Sequence, residues 1–370
     1  MAKRKTVGLF SPYVPDVIGG GERHFFTVAE TLSQLADTTV LIPETRFSEK
    51  LKTEIPSVYG NAFSLDLSQV RVASTLLGTS ANAFQKLLET QKYDVLYYVT
   101  DGSIFPTFAK KSIVHVQFPF SVPHSGFIDK AKWNMWTVNT NSEFTKKVIE
   151  RAWQIPVSFI HYPYVDIKQF YPQEKEKIIL SVGRFFSGKE SGLHCKRQDV
   201  LVNVFRELID EGKLQGWKLV FIGAVDKGED NEQYFSDIEK RAKGYPIKIL
   251  RDLPFDMLRR YYSRATLYWH AAGFEIDEHK DPLKVEHFGI APLEAMASGT
   301  VPFVVKKGGL PEVVQSGAGF LWNTKEELKS QTLELVGNPS LLSKMSQAAR
   351  IASEKFSKER FIETTKRRFL

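Results

Sequence analysis

The chain has 370 residues, 42% of them hydrophobic, and carries a formal net charge of +7. This length favours two domains, because a single domain usually holds about 100–200 residues. A lone cysteine, Cys195, excludes an internal disulfide and a metal site built from several cysteines, and it fits a reducing cytoplasm. The moderate basic excess permits attraction to phosphates or anionic lipid but does not indicate a nucleic-acid-binding protein.

The apolar stretches of the sequence are too short for a membrane-spanning helix. No uninterrupted run approaches the roughly 18 residues that a span needs. An apolar run at 7–10 follows the basic start of the chain, but Ser11 and Pro12 end it at once, which is too soon for a signal peptide. We therefore expect a cytoplasmic protein, with any membrane contact peripheral and at the inner face.

Short apolar runs alternate with helical stretches along the chain. The first series predicts strands at 6–10, 38–42, 94–99, 112–117 and 135–138, and helices at 22–35, 70–90 and 142–153. After a polar stretch at 171–175, a second series predicts strands at 178–182, 217–223, 247–250, 266–270 and 301–305. Alternation of this kind predicts parallel sheets with helices on both faces. Two such series predict two Rossmann-like domains, with a ligand expected between them.

The most informative run places two carboxylates, Glu286 and Glu294, on either side of a predicted loop-to-helix junction. Pro292 suits the first turn of a helix and Gly299 the position just past its end, which predicts a helix at 291–298. Such a junction directs free main-chain N–H groups and the positive helix end at an anion. Carboxylates accept hydrogen bonds from hydroxyl groups. An anion flanked by hydroxyl groups is typical of a sugar nucleotide.

The same run, with Phe-Gly-Ile between the two carboxylates, then Leu-Glu-Ala-Met-Ala-Ser-Gly and Gly-Gly-Leu-Pro-Glu-Val, resembles glycosyltransferase family 4. Its members are retaining enzymes of the GT-B fold. The resemblance implies that Glu286 contacts the donor sugar and Glu294 the nucleotide ribose. Further donor contacts are implied for Phe288, Gly289 and Ile290. These sequence motifs are most similar to those of mannosyltransferases that act on lipid-linked oligosaccharides.

The GT-B fold implies two doubly wound parallel-sheet domains facing across a cleft, with the last helix crossing back to the first domain. We accordingly expect an acceptor-side domain at 1–172, a nucleotide-sugar-binding domain at 173–355, and a C-terminal segment at 356–370 that packs on the first domain.

Two cations follow the first strand of the second series. The resemblance implies that Arg184 and Lys196 form a clamp for the donor diphosphate. Extra residues at about 186–195 separate the two, which leaves Lys189 and Arg197 as alternatives to Lys196.

A glycine-rich turn, Gly-Gly-Gly-Glu-Arg at 19–23, follows the first strand and opens a helix. Glycines let the main chain approach a phosphate, and the helix dipole favours negative charge there. Alone, the pattern also fits an ordinary strand–turn–helix corner. The resemblance implies that Gly20 and Gly21 lie at the donor diphosphate.

Two histidines end predicted strands. His115 can be a packed core residue or face a ligand, since ligands bind at the carboxyl ends of parallel strands. The resemblance implies that His115 contacts the donor sugar, either to position it or to transfer a proton. His270 ends a strand close to the Glu286 loop, where facing the ligand and packing are equally consistent with the pattern.

The charged run at 275–281 has the residue types of a metal site, but a solvated surface loop explains it more simply. No Asp-x-Asp sequence occurs, so we expect cationic side chains and amides, not a metal, at the diphosphate. We predict no cofactor apart from the nucleotide-diphosphate sugar as co-substrate. The aromatic and basic segment at 118–133, with Lys110 and Lys111, suits a lipid-phosphate acceptor or an anionic membrane surface. We do not expect nucleic acid as a partner.

The resemblance therefore implies a retaining, metal-independent hexosyltransferase. Its donor is GDP-mannose or a UDP-sugar, and its acceptor is a glycan or a lipid-linked glycan of cell-surface polysaccharide or glycolipid synthesis. The expected catalytic residues are His115, Arg184, Lys196 and Glu286. Two alternatives stay open: a catalytically silent sugar-nucleotide-binding subunit of a partner transferase, and a GT-B nucleotide-sugar epimerase that needs no acceptor.

Overall fold

The computed structural model describes residues 4–120, 126–188, 195–315 and 317–370. In chain order, strands β1 to β13 span Thr6–Phe10, Asp37–Pro43, Arg71–Thr75, Val95–Val99, Lys111–Val116, Thr137–Thr140, Phe159–Ile160, Glu176–Val182, Lys218–Ile222, Ile247–Leu250, Ala265–His270, Val301–Val305 and Phe320–Trp322. Helices α1 to α13 span Gly20–Ser33, Leu51–Phe63, Ala83–Thr90, Phe127–Trp133, Glu143–Ala152, Gln198–Asp210, Glu229–Ala242, Phe255–Arg264, Ile290–Ala297, Leu310–Val313, Lys325–Val336, Pro339–Ser353 and Lys358–Phe369. Two short 3-10 helices span Pro282–Lys284 and Glu354–Phe356.

The chain divides into two compact units. The first contains the residues up to Pro163 together with Glu359–Leu370, and the second contains Tyr164–Lys358. Residues 164–172, which we expected in the first domain, pack in the second unit. There the ring of Phe170 lies 5.9 Å from that of Phe255, and the main-chain N–H of Val165 donates to the carbonyl of Phe356 at 2.9 Å.

The first unit is built on a parallel sheet of β1 to β7 in the order β3-β2-β1-β4-β5-β6-β7. The strand order reverses between β1 and β4. All five residues of β4 are buried, and neighbouring side chains point to opposite faces. Tyr97 packs against Phe369 on one face, and Tyr98 packs against Phe105 on the other. Both faces of this sheet are therefore covered, as is usual for parallel strands.

One predicted element of the first unit is wrong. The helix expected at 70–90 is instead strand β3, a turn, and the shorter helix α3. Val70 and Val72 are buried while Arg71 is exposed, which is the period-2 pattern of a strand. Helix α3 begins only at a capping box, in which the Asn82 side chain accepts from the main chain of Gln85.

The bounds of the other elements in the first unit lie closer to the predicted ones. Strand β6 begins two residues after the predicted position of 135, and helix α2 and the two-residue strand β7 were not predicted from the sequence. Strand β1 lies at the predicted position. No helix within the described ranges is both long and apolar enough to cross a bilayer.

The second unit is built on a parallel sheet of β8 to β13 in the order β10-β9-β8-β11-β12-β13. Here the order reverses between β8 and β11. The five predicted strands are present to within two residues at each end, and only the edge strand β13 was not predicted. Open α/β sheets bind ligands outside the carboxyl ends of the strands at such a reversal.

The last helix, α13, belongs to the first unit from Glu359 onward. Its Phe361 ring stacks on His161 at 4.2 Å, and Phe369 lies 5.1 Å from the ring of Tyr97. The Thr365 hydroxyl lies 3.0 Å from Nε2 of His161. Apolar side chains on one face of α13 therefore fix it to the first sheet.

We predict that Phe369→Ala destabilises the first unit by about 3–5 kcal/mol, because truncating a buried Phe loses apolar contact and leaves a cavity. Phe369 is fully buried. Urea unfolding followed by circular dichroism measures the change. The matched control is Lys366→Ala on the exposed face of the same helix, for which we expect a change within about 0.5 kcal/mol. Equal stability of the two variants would contradict the packing of α13 described above.

Candidate functional site

The candidate site of the second unit lies where the order of its strands reverses. Gly183 and Arg184 directly follow β8, and His270 ends the neighbouring strand β11. A Cβ atom on Gly183 would lie 2.8 Å from Cγ of Lys196, and one on Gly223 would lie 2.0 Å from the carbonyl oxygen of Gly183. Both positions therefore require glycine for the chain and the Lys196 side chain to approach so closely.

An ion pair joins two of the predicted site residues. Nζ of Lys196 lies 2.6 Å from Oε2 of Glu286, and the two side chains are only 18% and 13% exposed. Limited contact with water strengthens the attraction but also makes each charge costly to leave unpaired. The cation and the carboxylate thus satisfy each other in this structure.

His270 completes this cluster, and the sequence analysis left its role undecided. Its Nε2 lies 3.3 Å from Oε2 of Glu286, the same oxygen that Lys196 contacts. Burial lowers the pKa of His270, so the ring is neutral near pH 7. Because an ionised carboxylate only accepts hydrogen bonds, we assign the proton to Nε2. The ring stacks on Tyr268 at 6.2 Å, and the Tyr268 hydroxyl donates to the carbonyl of Val182 at 3.2 Å.

A glycine pair holds the main chain at Glu286. The N–H of Gly309 donates to the carbonyl of Glu286 at 2.8 Å. A Cβ on Gly308 would lie 2.1 Å from that carbonyl oxygen, and a Cβ on Gly309 would lie 2.1 Å from the carbonyl oxygen of His287. The Gly-Gly pair therefore supports the Glu286 segment from behind.

The loop-to-helix junction forms one residue earlier than predicted. Helix α9 begins at Ile290, and Gly289 precedes it with φ of 105°, a conformation that favours glycine. Ile290 is half-buried. Phe288 is buried and packs against Phe356 at 5.3 Å. Glu294 is buried on α9. The structure thus brings these residues to the same junction as Glu286, with the Phe288 ring in the core.

Arg184 is exposed and paired. Its guanidinium contacts both carboxylate oxygens of Asp226, at 2.9 and 3.2 Å, and lies 5.5 Å from the ring centre of Phe186. Among the alternatives to Lys196, Arg197 is bound to Asp199 at 3.1 Å and to Glu275 at 3.3 Å. Lys189 lies outside the described residues.

The charged run at 275–281 is largely exposed, as expected for a surface loop, and is also bonded to the segment that supports Glu286. Glu275 pairs with Arg197, and Glu278 accepts the N–H of Gly308 at 2.6 Å. Lys307 also donates to the carbonyl of Ile276. These bonds fasten the run to the glycine pair that supports Glu286. In the part of the chain that the structure describes, no group of three or more His, Cys, Asp or Glu could hold a metal ion.

In the first unit, the glycine-rich turn lies at the amino end of α1. A Cβ on Gly21 would lie 2.4 Å from the amide oxygen of Gln117, so the Gln117 side chain would have to move to admit one. Glu22 is buried in the first turn of α1, and its carboxylate lies beside Gly19, where an added Cβ would be 3.3 Å from Oε2. Burial raises the pKa of Glu22. The sequence pattern did not predict that a carboxylate of the chain itself lies at this helix terminus.

His115 lies at the carboxyl end of β5 and is fully buried. Its Nδ1 is 2.5 Å from Oδ1 of Asn139, and its ring stacks on His24 with the centroids 4.3 Å apart. Burial lowers the pKa of His115 to about 4. Among the described residues, its Nε2 has no hydrogen-bond partner. Contact between His115 and a sugar stays a prediction.

The predicted acceptor segment at 118–133 is described only in part, because residues 121–125 lie outside the described ranges. In helix α4, Lys132 pairs with Asp129 at 3.0 Å, and Trp133 is buried against Trp153 at 5.4 Å. Lys130 is exposed. The described part therefore contains both core aromatics and solvent-facing cations.

Comparison with known proteins finds a matching family profile and several similar proteins. The profile of a family described as glycosyl transferases group 1 matches residues 165–352, just over half of the chain. The chain is similar to a GDP-Man:Man(3)GlcNAc(2)-PP-Dol alpha-1,2-mannosyltransferase of Xenopus laevis, at 26% identity over 240 residues, covering 60% of this chain and 46% of the relative. It is also similar to an alpha-1,3/1,6-mannosyltransferase alg-2 of Neurospora crassa, at 26% identity over 221 residues, covering 50% of this chain and 45% of the relative. The chain spans about half the length of the curated relatives it matches.

Solved structures share the fold over nearly the whole chain. A glycosyltransferase from Rickettsia africae superposes with a TM-score of 0.73 at 15% identity, covering 98% of this chain and 97% of that chain. An Anabaena protein, Alr3699/HepE, solved in complex with UDP, superposes with a TM-score of 0.70 at 15% identity, covering 98% and 99%. Together with the two parallel sheets, these likenesses confirm the predicted GT-B fold.

We predict that Gly309→Ala destabilises the second unit by roughly 1–3 kcal/mol or more, because the added methyl group overlaps the His287 carbonyl. The midpoint of thermal unfolding measures the effect. The control is Gly126→Ala, where the nearest atom to the new Cβ is 3.9 Å away. Similar midpoints for both variants would contradict the close support of the Glu286 segment by the glycine pair.

Proposed function

Since the chain belongs to the glycosyl transferases group 1 family, we propose that it is a retaining glycosyltransferase that moves a hexose from a nucleotide-diphosphate sugar to an acceptor hydroxyl. The observation that carries the proposal is the cluster of Lys196, Glu286 and His270 where the order of the second sheet reverses. This cluster offers a cation to a diphosphate and a carboxylate to sugar hydroxyls, close to the amino end of α9. The match to the family profile confirms the family resemblance predicted from the motifs at 286–313.

GDP-mannose is the donor that we propose first, with UDP-sugars second. The names of the curated relatives support GDP-mannose, because several are GDP-Man-dependent mannosyltransferases with lipid-linked substrates. We propose a glycan or a lipid-linked glycan as the acceptor, in cell-surface polysaccharide or glycolipid synthesis. The reaction would then take place at the inner face of a membrane, with the protein bound peripherally.

In this proposal, Lys196 changes its ion-pair partner from Glu286 to the diphosphate when the donor binds. Before binding, Lys196 and Glu286 neutralise each other at 2.6 Å. An incoming diphosphate carries more negative charge than one carboxylate and competes for the ammonium group. Glu286 then accepts hydrogen bonds from the sugar, while His270 continues to donate to the same carboxylate and keeps it in place. The ion pair thus prepares both groups for their roles without leaving either charge unpaired.

The proposed reaction breaks the bond between the anomeric carbon and the diphosphate oxygen, and the electron pair stays on the diphosphate. The acceptor hydroxyl attacks the anomeric carbon from the same face, and its proton passes to a phosphate oxygen. This gives retention without a covalent enzyme intermediate. Arg184, Lys196 and the main-chain N–H groups near Gly289 stabilise the developing negative charge. We also propose that Gly20 and Gly21 contribute main-chain N–H groups to a phosphate of the donor.

His115 has an orienting role in this proposal. With its pKa near 4, the imidazole is neutral at physiological pH and does not supply a proton there. Its Nε2 is the atom that would contact a sugar hydroxyl. Since the ring is fully buried, the side chains that cover it must move before a sugar reaches it.

A panel of nucleotide sugars tests the function. We expect one nucleotide class to raise the thermal midpoint, and we expect slow sugar release from its nucleotide sugar that EDTA does not change, because no metal is needed. Sugar transfer to a lipid-linked acceptor would support the transferase over both alternatives. Binding without any turnover would instead support a silent sugar-nucleotide-binding subunit, and inversion at a sugar carbon without an acceptor would support an epimerase.

We predict that Arg184→Ala and Lys196→Ala each lower turnover on the order of 10²–10³-fold, because each removes a cation aimed at the leaving diphosphate. Steady-state transfer assays with the preferred donor measure the loss. Lys213→Ala is the control, since Lys213 is exposed and pairs only with Glu211 among the described residues. Full turnover in both clamp variants would rule out the clamp.

We predict that His270→Phe lowers kcat by roughly 10–100-fold, the range expected for losing a hydrogen bond to a charged group. His270→Gln, which keeps an N–H donor, should recover part of the loss. The affinity for the free nucleotide diphosphate should change little, because His270 acts through Glu286 and not on the diphosphate. Equal loss of kcat and nucleotide affinity would contradict this positioning role.

A further inference from the structure

A charged pocket lies at the amino edge of the first sheet, where β1, β4 and β5 begin. It has a volume of about 410 Å³ and is lined by Arg4, Lys5, Asp94, Val95, Lys110 and Lys111. His115 and the glycine-rich turn lie at the opposite, carboxyl edge of the same sheet. The pocket is therefore separate from the candidate donor residues of this unit.

Lys111 carries a positive charge in a partly buried position. It is half-buried, and its ammonium group has no hydrogen-bond or ion-pair partner among the described residues. Burial and the nearby charges of Lys5 and Arg368 lower the pKa of Lys111. Like charges held together in a partly buried place are destabilising unless an anion joins them.

Asp94 does not supply that anion. Its carboxylate accepts from Nζ of Lys110 at 2.6 Å, from the main-chain N–H of Thr6 at 2.9 Å and from the Thr6 hydroxyl at 3.1 Å. These bonds hold the pKa of Asp94 well below its usual range. Its charge is thus taken up by Lys110 and does not neutralise the ammonium group of Lys111.

The other cations are held by main-chain oxygens, an ion pair and a ring. Nζ of Lys5 donates at 2.7 Å to a carboxyl oxygen of Leu370, the last residue described. The guanidinium of Arg4 donates to the carbonyl of Ser33 at 3.0 Å and forms an ion pair with Asp37 at 3.7 Å. The guanidinium of Arg368 lies over the ring of Phe159 at 5.3 Å. Bonds of this kind orient the side chains and leave N–H groups for a ligand.

We propose that this pocket binds a phosphate group, with Lys111 and Lys5 as direct contacts and Arg4, Lys110 and Arg368 around it. A phosphate presents several strong acceptor oxygens and carries up to two charges, which matches two neighbouring ammonium groups. The pocket volume accommodates a phosphate ester or pyrophosphate. The ligand is either a soluble phosphate compound or the headgroup of an anionic lipid. The proposal does not depend on the proposed transferase activity, because it uses none of the donor residues.

The test measures pyrophosphate binding by isothermal titration calorimetry to the full chain carrying Arg184→Ala and Lys196→Ala, which removes the donor clamp. We expect about one pyrophosphate per chain and a loss of affinity of roughly tenfold or more on adding Lys111→Gln. Lys111→Arg should keep most of the binding. The matched control is Lys92→Gln, which removes the same charge from an exposed side chain that pairs with Glu89 outside the pocket.

A second arm distinguishes the source of the phosphate. Sedimentation with vesicles of phosphatidylglycerol and phosphatidylcholine, against phosphatidylcholine alone, tests the lipid headgroup. Pyrophosphate binding that depends on Lys111 supports a soluble ligand, and vesicle binding that depends on Lys111 without pyrophosphate binding supports the lipid. If neither probe binds, or if Lys111→Gln and Lys92→Gln behave alike, the proposal is overturned. If Lys111→Gln does not fold, Lys5→Gln replaces it with the same expected result.

Discussion

The ion pair between Lys196 and Glu286 is the interaction on which the candidate site depends. It joins two segments 90 residues apart, one that leads into α6 and one that leads into α9. Both charges are largely withheld from water, so neither could stay in place without the other or without a substitute. In the proposed function, the donor supplies such a substitute for each: a diphosphate for the cation and hydroxyl groups for the carboxylate. The ion pair would then keep both groups in place until the donor binds.

Much of the arrangement around that pair could be predicted from local sequence. Pro292 and Gly299 place α9 within one residue of its observed limits, and the apolar runs locate the strands of the second sheet. The contact between His270 and Glu286 could not be predicted, because it requires β11 to lie beside β8 and the Glu286 loop to fold back over the strand end. Local patterns carry no information about such distant pairings.

The side chains of two other residues point in directions that the sequence pattern does not predict. Phe288 lies within the motif run, yet its ring packs on Phe356 in the core. Glu22 was grouped with an anion-binding turn, yet its buried carboxylate lies beside Gly19 at the start of the same helix. In both cases the backbone position agrees with the motif. Packing and hydrogen-bond satisfaction then decide where the side chain goes, and they depend on neighbours far away in the sequence.

A crystal structure with the preferred nucleotide diphosphate bound would test the central claim most directly. The account predicts that Nζ of Lys196 leaves Glu286, opening the present 2.6 Å contact to beyond hydrogen-bond distance, and binds a diphosphate oxygen. His270 should still contact the Glu286 carboxylate. A diphosphate bound elsewhere, with the Lys196–Glu286 pair intact, would contradict the account.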